Sequence, residues 1–130
     1  MQSVNDFLKK VGVYYLATID GDQPRVRPFG TINLLNGKLY IQTGKNKDVA
    51  KQIAKNPKVE LSGFDGTTWI RVAATLVDDT NKETVKSMLD AYPELVKLYP
   101  EEMDNSIVYY MKDATASFWV HGEEPKIVKF

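Results

Sequence analysis

Apolar residues recur at a helical interval over the first dozen positions. Val4, Phe7, Leu8 and Val11 fall at i, i+3, i+4 and i+7, which predicts an amphipathic helix with one buried stripe. Ser3 is placed to cap it with Asp6 in the reciprocal position, and Gly12 to stop it. The period then drops towards two. Residues 13–19 are β-branched and aromatic and close at Asp20-Gly21, a strand ended by a turn. A second extended stretch covers 25–35, interrupted by Pro28 and Gly30. Proline removes a ladder donor, so this strand is expected to be bulged or to lie at an edge. Asn36-Gly37 separates Ile32-Asn33-Leu34-Leu35 from Lys38-Leu39-Tyr40-Ile41. Asn-Gly accepts the positive φ angles of a type I′ turn, and 25–43 reads as a β-hairpin.

Beyond Thr43-Gly44-Lys45-Asn46, residues Val49, Ala50, Ile53 and Ala54 share a helix face that Asn56-Pro57 ends. Residues 58–64 and 67–77 form another hairpin across Asp65-Gly66. Thr80-Asn81-Lys82-Glu83 fits a capping box, followed by a stripe of Val85, Met88, Leu89 and Tyr92. Pro93 and Pro100 bracket a short helical turn, and strands are expected over 107–111, 114–120 and 126–130. The order is helix, three strands, helix, two strands, helix, then two or three strands. Hairpin-joined strands with helices inserted between them predict one domain over 1–130, an antiparallel, mainly β, α+β barrel, and not an alternating parallel sheet.

Composition narrows the chemistry. In 130 residues there are 17 Lys+Arg against 17 Asp+Glu, no cysteine and one histidine, His121. Thiolate catalysis and Cys-ligated metal sites are excluded, as is a multi-histidine metal site within one chain. Zero formal charge removes the global case for a nucleic-acid or membrane-surface protein. No apolar run approaches the roughly 20 residues a bilayer requires, and no basic, apolar leader is visible, which predicts a cytoplasmic protein.

The neutral total hides an asymmetry. Residues 24–56 carry seven cations (Arg25, Arg27, Lys38, Lys45, Lys47, Lys51, Lys55) and one anion, Asp48. Residues 78–104 carry eight anions and three cations. Arg25 and Arg27 point the same way from a strand. Lys45 and Lys47 flank a helix start, where unpaired N–H groups carry partial positive charge. Gly44 admits a close backbone approach, and Thr43 and Asn46 add hydrogen-bonding side chains. This is a phosphate cradle by composition, or else a solvated basic loop with an Asn N-cap.

Four segments, YYLAT at 14–18, GDQPRVRP at 21–28, GKLYIQTG at 37–44 and KDVAKQIAKNPKV at 47–59, resemble in order and spacing the pyridoxamine 5′-phosphate oxidase-like split-barrel flavoproteins. The resemblance implies a six-stranded antiparallel split β-barrel with flanking helices, forming a homodimer with FMN in two interface clefts. It implies that Arg25, Val26, Arg27 and Pro28 line the isoalloxazine and present an arginine to the phosphate, Arg27 before Arg25. Gln42 and Thr43 would contact ring and ribityl chain, and Lys47 the phosphate. Trp119 would cover the ring from the partner subunit, ahead of Trp69. Either tryptophan would equally serve core or dimer packing.

The segment Glu123-Glu124-Pro125-Lys126-Ile127-Val128-Lys129-Phe130 lacks the arginines with which true pyridoxamine phosphate oxidases hold their substrate. That activity is not expected. The closer resemblance is to the short branch related to general stress flavoproteins and nitroimidazole-resistance reductases. The implied function is an FMN-dependent oxidoreductase working between a small electron donor and a small acceptor. Its alternatives are a non-enzymatic flavin-binding module, or a split barrel using haem or a deazaflavin. His121 reads as a turn residue rather than a ligand, and Asp78-Asp79 and Glu101-Glu102-Asp104 as cap and loop residues rather than a metal site. No serine sits in a nucleophile elbow.

Overall fold

The computed structural model describes residues 1–98 and 105–130. Pro100 and the Glu101-Glu102-Asp104 cluster lie outside the described residues. In chain order the elements are α1 (Gln2–Val11), β1 (Tyr14–Asp20), β2 (Gln23–Phe29), β3 (Asn33–Leu35), β4 (Lys38–Gly44) and α2 (Asp48–Lys55). There follow β5 (Lys58–Phe64), β6 (Thr68–Asp78), α3 (Lys82–Ala91), α4 (Pro93–Leu98), β7 (Ser106–Val120) and β8 (Lys126–Lys129). The strands form one sheet in the order β2-β1-β5-β6-β7-β4-β3, with β8 paired to β7, and every pairing is antiparallel. Its two ends do not pair, so the barrel is split. Eight strands replace the expected six. Six result if β2 and β3 count as halves of one strand broken at Gly30 and β8 as an added return.

The break at Gly30 corrects the long hairpin. Only β3 and β4 pair across Asn36-Gly37, whose φ angles of 51° and 73° suit a type I′ turn. β2 turns back on β1 instead, in register from Tyr14↔Phe29 to Asp20↔Gln23. It is an edge strand, the position where Pro24 and Pro28 cost least. The intervening Thr31 and Ile32 are stitched in place by side chains. Tyr92 Oη accepts from the Ile32 N–H and donates to its carbonyl, both at 3.0 Å, and Tyr14 Oη donates to the Thr31 carbonyl.

The caps also differ from expectation. α1 begins at Gln2, with Ser3 inside the helix and no side-chain cap; Gly12 stops it as expected, at φ 79°. The α3 box is shifted by one residue: Asn81 Oδ1 accepts from Thr84 N–H and Thr84 Oγ1 from Asn81 N–H, each at 3.0 Å. Thr80, freed from capping, accepts from the Val108 N–H at 3.0 Å and ties α3's entry to β7. The two strands expected over 107–120 are one. β7 continues through Asp113, at φ 52°, opposite a register shift between Ala73 and Thr75. The core gathers Leu8 from α1, Leu16, Leu39, Ile41, Leu61, Ile70 and Val72 from the sheet, and Ile53 from α2. Ala54, expected on α2's buried face, is exposed.

Tyr109 is 2% exposed and its hydroxyl has no hydrogen-bond partner among the described residues. Burial, with Asp78 nearby, pushes this phenol up to about 12. A folded-state value above the unfolded one favours the native state fully below pH ~10, and that contribution is lost as pH climbs towards 12. Tyr109→Phe therefore flattens the alkaline fall in thermal stability. At pH 7 it stabilises by about 1 kcal/mol, because an unpartnered buried hydroxyl is removed. Melting curves of both proteins from pH 7 to 11.5 check this.

Candidate functional site

Where β2 ends and α2 begins, the split leaves a groove of about 550 Å³. Arg27, Pro28 and Phe29 come from β2, Gln42, Thr43 and Gly44 from β4, Lys47 and Val49 from the start of α2, and Tyr92, Glu94 and Leu95 from the α3–α4 corner. A second cavity of about 530 Å³ adjoins it through Arg27, Lys47 and Val49, and adds Asp20, Arg25, Val26, Asp48 and Gln52. Six predicted residues thus line the first cavity, and Arg25 and Val26 the second.

Three predicted residues line neither. Lys45 uses its N–H on the Asn105 carbonyl, at 2.7 Å, and Asn46 Oδ1 accepts from Asn105 Nδ2 at 2.9 Å. Asn46 is not the cap of α2; Lys47 occupies that position with no side-chain cap bond. Trp119 is in register with Trp69 and, through it, with Phe64, away from both cavity linings. Its ring stacks on Trp69, 6.0 Å between centroids, the Arg71 guanidinium lies 5.0 Å from its centroid, and its Nε1 donates to Ser117 Oγ. Gly44 is required for packing: a Cβ there would meet Asn105 Nδ2 at 3.0 Å and Asn46 Oδ1 at 3.2 Å.

The two arginines differ sharply. Arg25 is exposed and spends its charge on Asp20, with Nε to Oδ2 at 3.1 Å. Arg27 is half-buried and every partner it has is uncharged. Nη1 donates to Thr18 Oγ1 at 2.7 Å and to the Leu16 carbonyl at 3.3 Å, and Nη2 to Gln52 Oε1 at 2.6 Å. The ion pairs among the described residues are Lys10–Asp65, Arg25–Asp20 and Lys86–Asp90, and neither Arg27 nor Lys47 is in one. Burial and the neighbouring Arg25 pull the Arg27 guanidinium below its usual value, against a smaller opposing pull from the Asp48 carboxylate. Beside it α2 starts without a side-chain cap, and Lys47 and Val49 of that start line the groove.

One further polar atom lacks a partner at this site. Gln42 is 8% exposed; its Nε2 donates to Ser106 Oγ at 2.7 Å, while Oε1 has no partner among the described residues. A buried amide oxygen so placed accepts from a ligand N–H at no added desolvation cost. Thr18, Gln52 and the α3–α4 corner escape sequence reasoning. Thr18 sits inside an apolar strand, and Gln52 is one polar residue among several on an amphipathic helix. The corner follows Tyr92, which the spacing had assigned to the helix's buried stripe.

An open antiparallel β-sheet with flanking helices and unpaired ends defines a split-barrel class of domain. The chain belongs to the pyridoxamine 5′-phosphate oxidase family, whose model matches residues 1–117. Among solved structures, a NimC/NimA family protein from Clostridium acetobutylicum is 37% identical, with a TM-score of 0.94 over 100% of this chain and 92% of that one. General stress protein 26 from Bacillus anthracis is 15% identical, with a TM-score of 0.72 over 98% of each chain. A protein described as FAD-binding, from Mesorhizobium loti, is 13% identical, with a TM-score of 0.63 over 88% of this chain and 91% of that one. No curated protein matches. No helix among the described residues is long and apolar enough to cross a membrane.

Proposed function

We propose that this chain is an FMN-binding flavoprotein that acts as a homodimeric oxidoreductase between a small electron donor and a small acceptor. The observation that carries the reading is the half-buried Arg27, in no ion pair among the described residues, beside Lys47 and the uncapped start of α2. Two cations and a helix N-terminus at one end of a groove match one terminal phosphate. Pro28, Phe29 and Leu95 give the remaining groove apolar walls. Gln42 Oε1 matches the N–H of the flavin's pyrimidine edge. FMN fits these residues: Arg27 and Lys47 hold its phosphate, and Gln42 and Thr43 its ring and ribityl chain. Once bound, the flavin supplies the redox chemistry. The FAD-binding structural neighbour supports a flavin in this fold.

The outer face of the sheet, turned away from the core, supports the dimer. By register, Tyr15, Ile19, Val26, Phe64 and Ile127 all project from it, each between 40% and 68% exposed. An exposed apolar patch of this kind marks an interaction surface. A second copy of the chain is the occupant the family resemblance implies.

The test is an absorbance spectrum of the purified protein with and without added FMN. Flavin bands with quenched fluorescence are expected. A colourless protein indifferent to FMN, or a Soret band, would overturn the reading. Lys47→Ala is expected to weaken FMN binding by about 1.5–3 kcal/mol, the scale of a charge-assisted hydrogen bond. Fluorescence titration of both proteins measures it.

A further inference from the structure

We infer that Gln52 is a positioning residue whose neutral amide oxygen aims the Arg27 guanidinium at an anionic ligand without cancelling its charge. The inference rests on the flavin-phosphate reading above and extends the anion site to a helix residue outside the first cavity. Gln52 belongs to the stripe Asp48, Lys51, Gln52, Lys55 that turns α2 towards the end of the β1–β2 hairpin. Its Oε1 accepts from Arg27 Nη2 at 2.6 Å and from Thr18 Oγ1 at 2.6 Å. Thr18 Oγ1 in turn accepts from Arg27 Nη1 at 2.7 Å, closing a three-membered ring of hydrogen bonds. Thr18 is 2% exposed, so the ring is anchored where water does not compete.

The choice of amide over carboxylate is what gives the ring its use. Glutamate at this position would place a full negative charge against a half-buried arginine and turn it into an ion pair. The field reaching a ligand would then be that of a dipole. Arg25, two residues away on the same strand face, shows the alternative: its guanidinium is already matched to Asp20 at 3.1 Å. With Gln52 the guanidinium is fixed and its charge is kept. Nη1 donates twice and Nη2 once, which leaves Nε–H and the second Nη2 hydrogen for a ligand. Gln52 Nε2 makes no hydrogen bond among the described residues, and Gln52 lines the adjoining cavity, so the same amide has donors of its own to offer.

The experiment compares wild type, Gln52→Glu and Gln52→Ala by fluorescence titration with FMN and with riboflavin, which lacks the phosphate. Gln52→Glu is expected to fold, because its carboxylate pairs with Arg27, and to weaken FMN about 30-fold or more while riboflavin changes less than about twofold. Gln52→Ala keeps the charge and loses the aim, so FMN weakens about three- to tenfold and riboflavin again holds. An FMN affinity unchanged in Gln52→Glu, or an equal loss for FMN and riboflavin, overturns the inference and leaves the flavin reading standing. If wild type binds neither flavin, that reading falls instead, and inorganic phosphate decides the role of Gln52. A melting temperature raised by phosphate in wild type but not in Gln52→Glu supports it; an equal response in both overturns it.

Discussion

Replacing Arg27 with alanine is expected to lower FMN affinity by about 3 kcal/mol, roughly 150-fold, and to leave riboflavin affinity within a few-fold. The loss exceeds that at Lys47 for a physical reason. Lys47 is an exposed, flexible cation, whereas Arg27 is half-buried and held by Leu16, Thr18 and Gln52 before any ligand arrives. Its ordering entropy is spent on folding, so its contact with the phosphate is gained at little further cost. Arg25→Ala serves as the control, since Arg25 is engaged with Asp20 and a small effect is expected there. Parallel titrations with FMN and riboflavin read both. Equal losses at Arg25 and Arg27 would reverse their assignment.

The second large effect concerns the apolar outer face. Tyr15 and Phe64 project from it on neighbouring strands, 53% and 62% exposed. Tyr15→Asp with Phe64→Asp places two carboxylates in that patch, and twofold symmetry doubles them across the interface. Like charges facing each other without water cost several kcal/mol, so the dimer dissociation constant is expected to rise about a thousandfold or more. Neither side chain belongs to the buried core, so each chain keeps its fold. Light scattering should find monomer at micromolar concentration. FMN binding should fall with it, because the implied cleft needs both chains. An unchanged mass would place the partner surface elsewhere.

Much of this architecture is legible in sequence because its signals are local. Asn36-Gly37 and Asp65-Gly66 set their turns by backbone chemistry alone, and the alternation in residues 58–64 is a property of one strand. Pairing between distant strands is not local. Nothing near Pro28 says that β2 returns to β1 rather than running on into the Asn-Gly hairpin; the break depends on Tyr14 and Tyr92 reaching Thr31 and Ile32 from far along the chain. Likewise, Lys112-Asp113 looks like a turn, yet β6 accommodates it as an irregularity within one strand. At the site, the cations and the helix start were visible as residue types. The contrast between Arg25 and Arg27 was not, since two like residues on one strand face differ only in what folding brings beside them.

The Tyr92 phenol occupies the place a neighbouring strand would fill, meeting both polar atoms of the Ile32 peptide. This ring latches sheet to helix layer, together with Asn33–Ser87 and Asn36–Glu83, directly beside the pocket that Tyr92 helps to wall. Any rearrangement that lifts the α3–α4 corner must release that latch first. Opening the groove at that corner would therefore cost the two hydrogen bonds that hold Ile32 at the barrel seam.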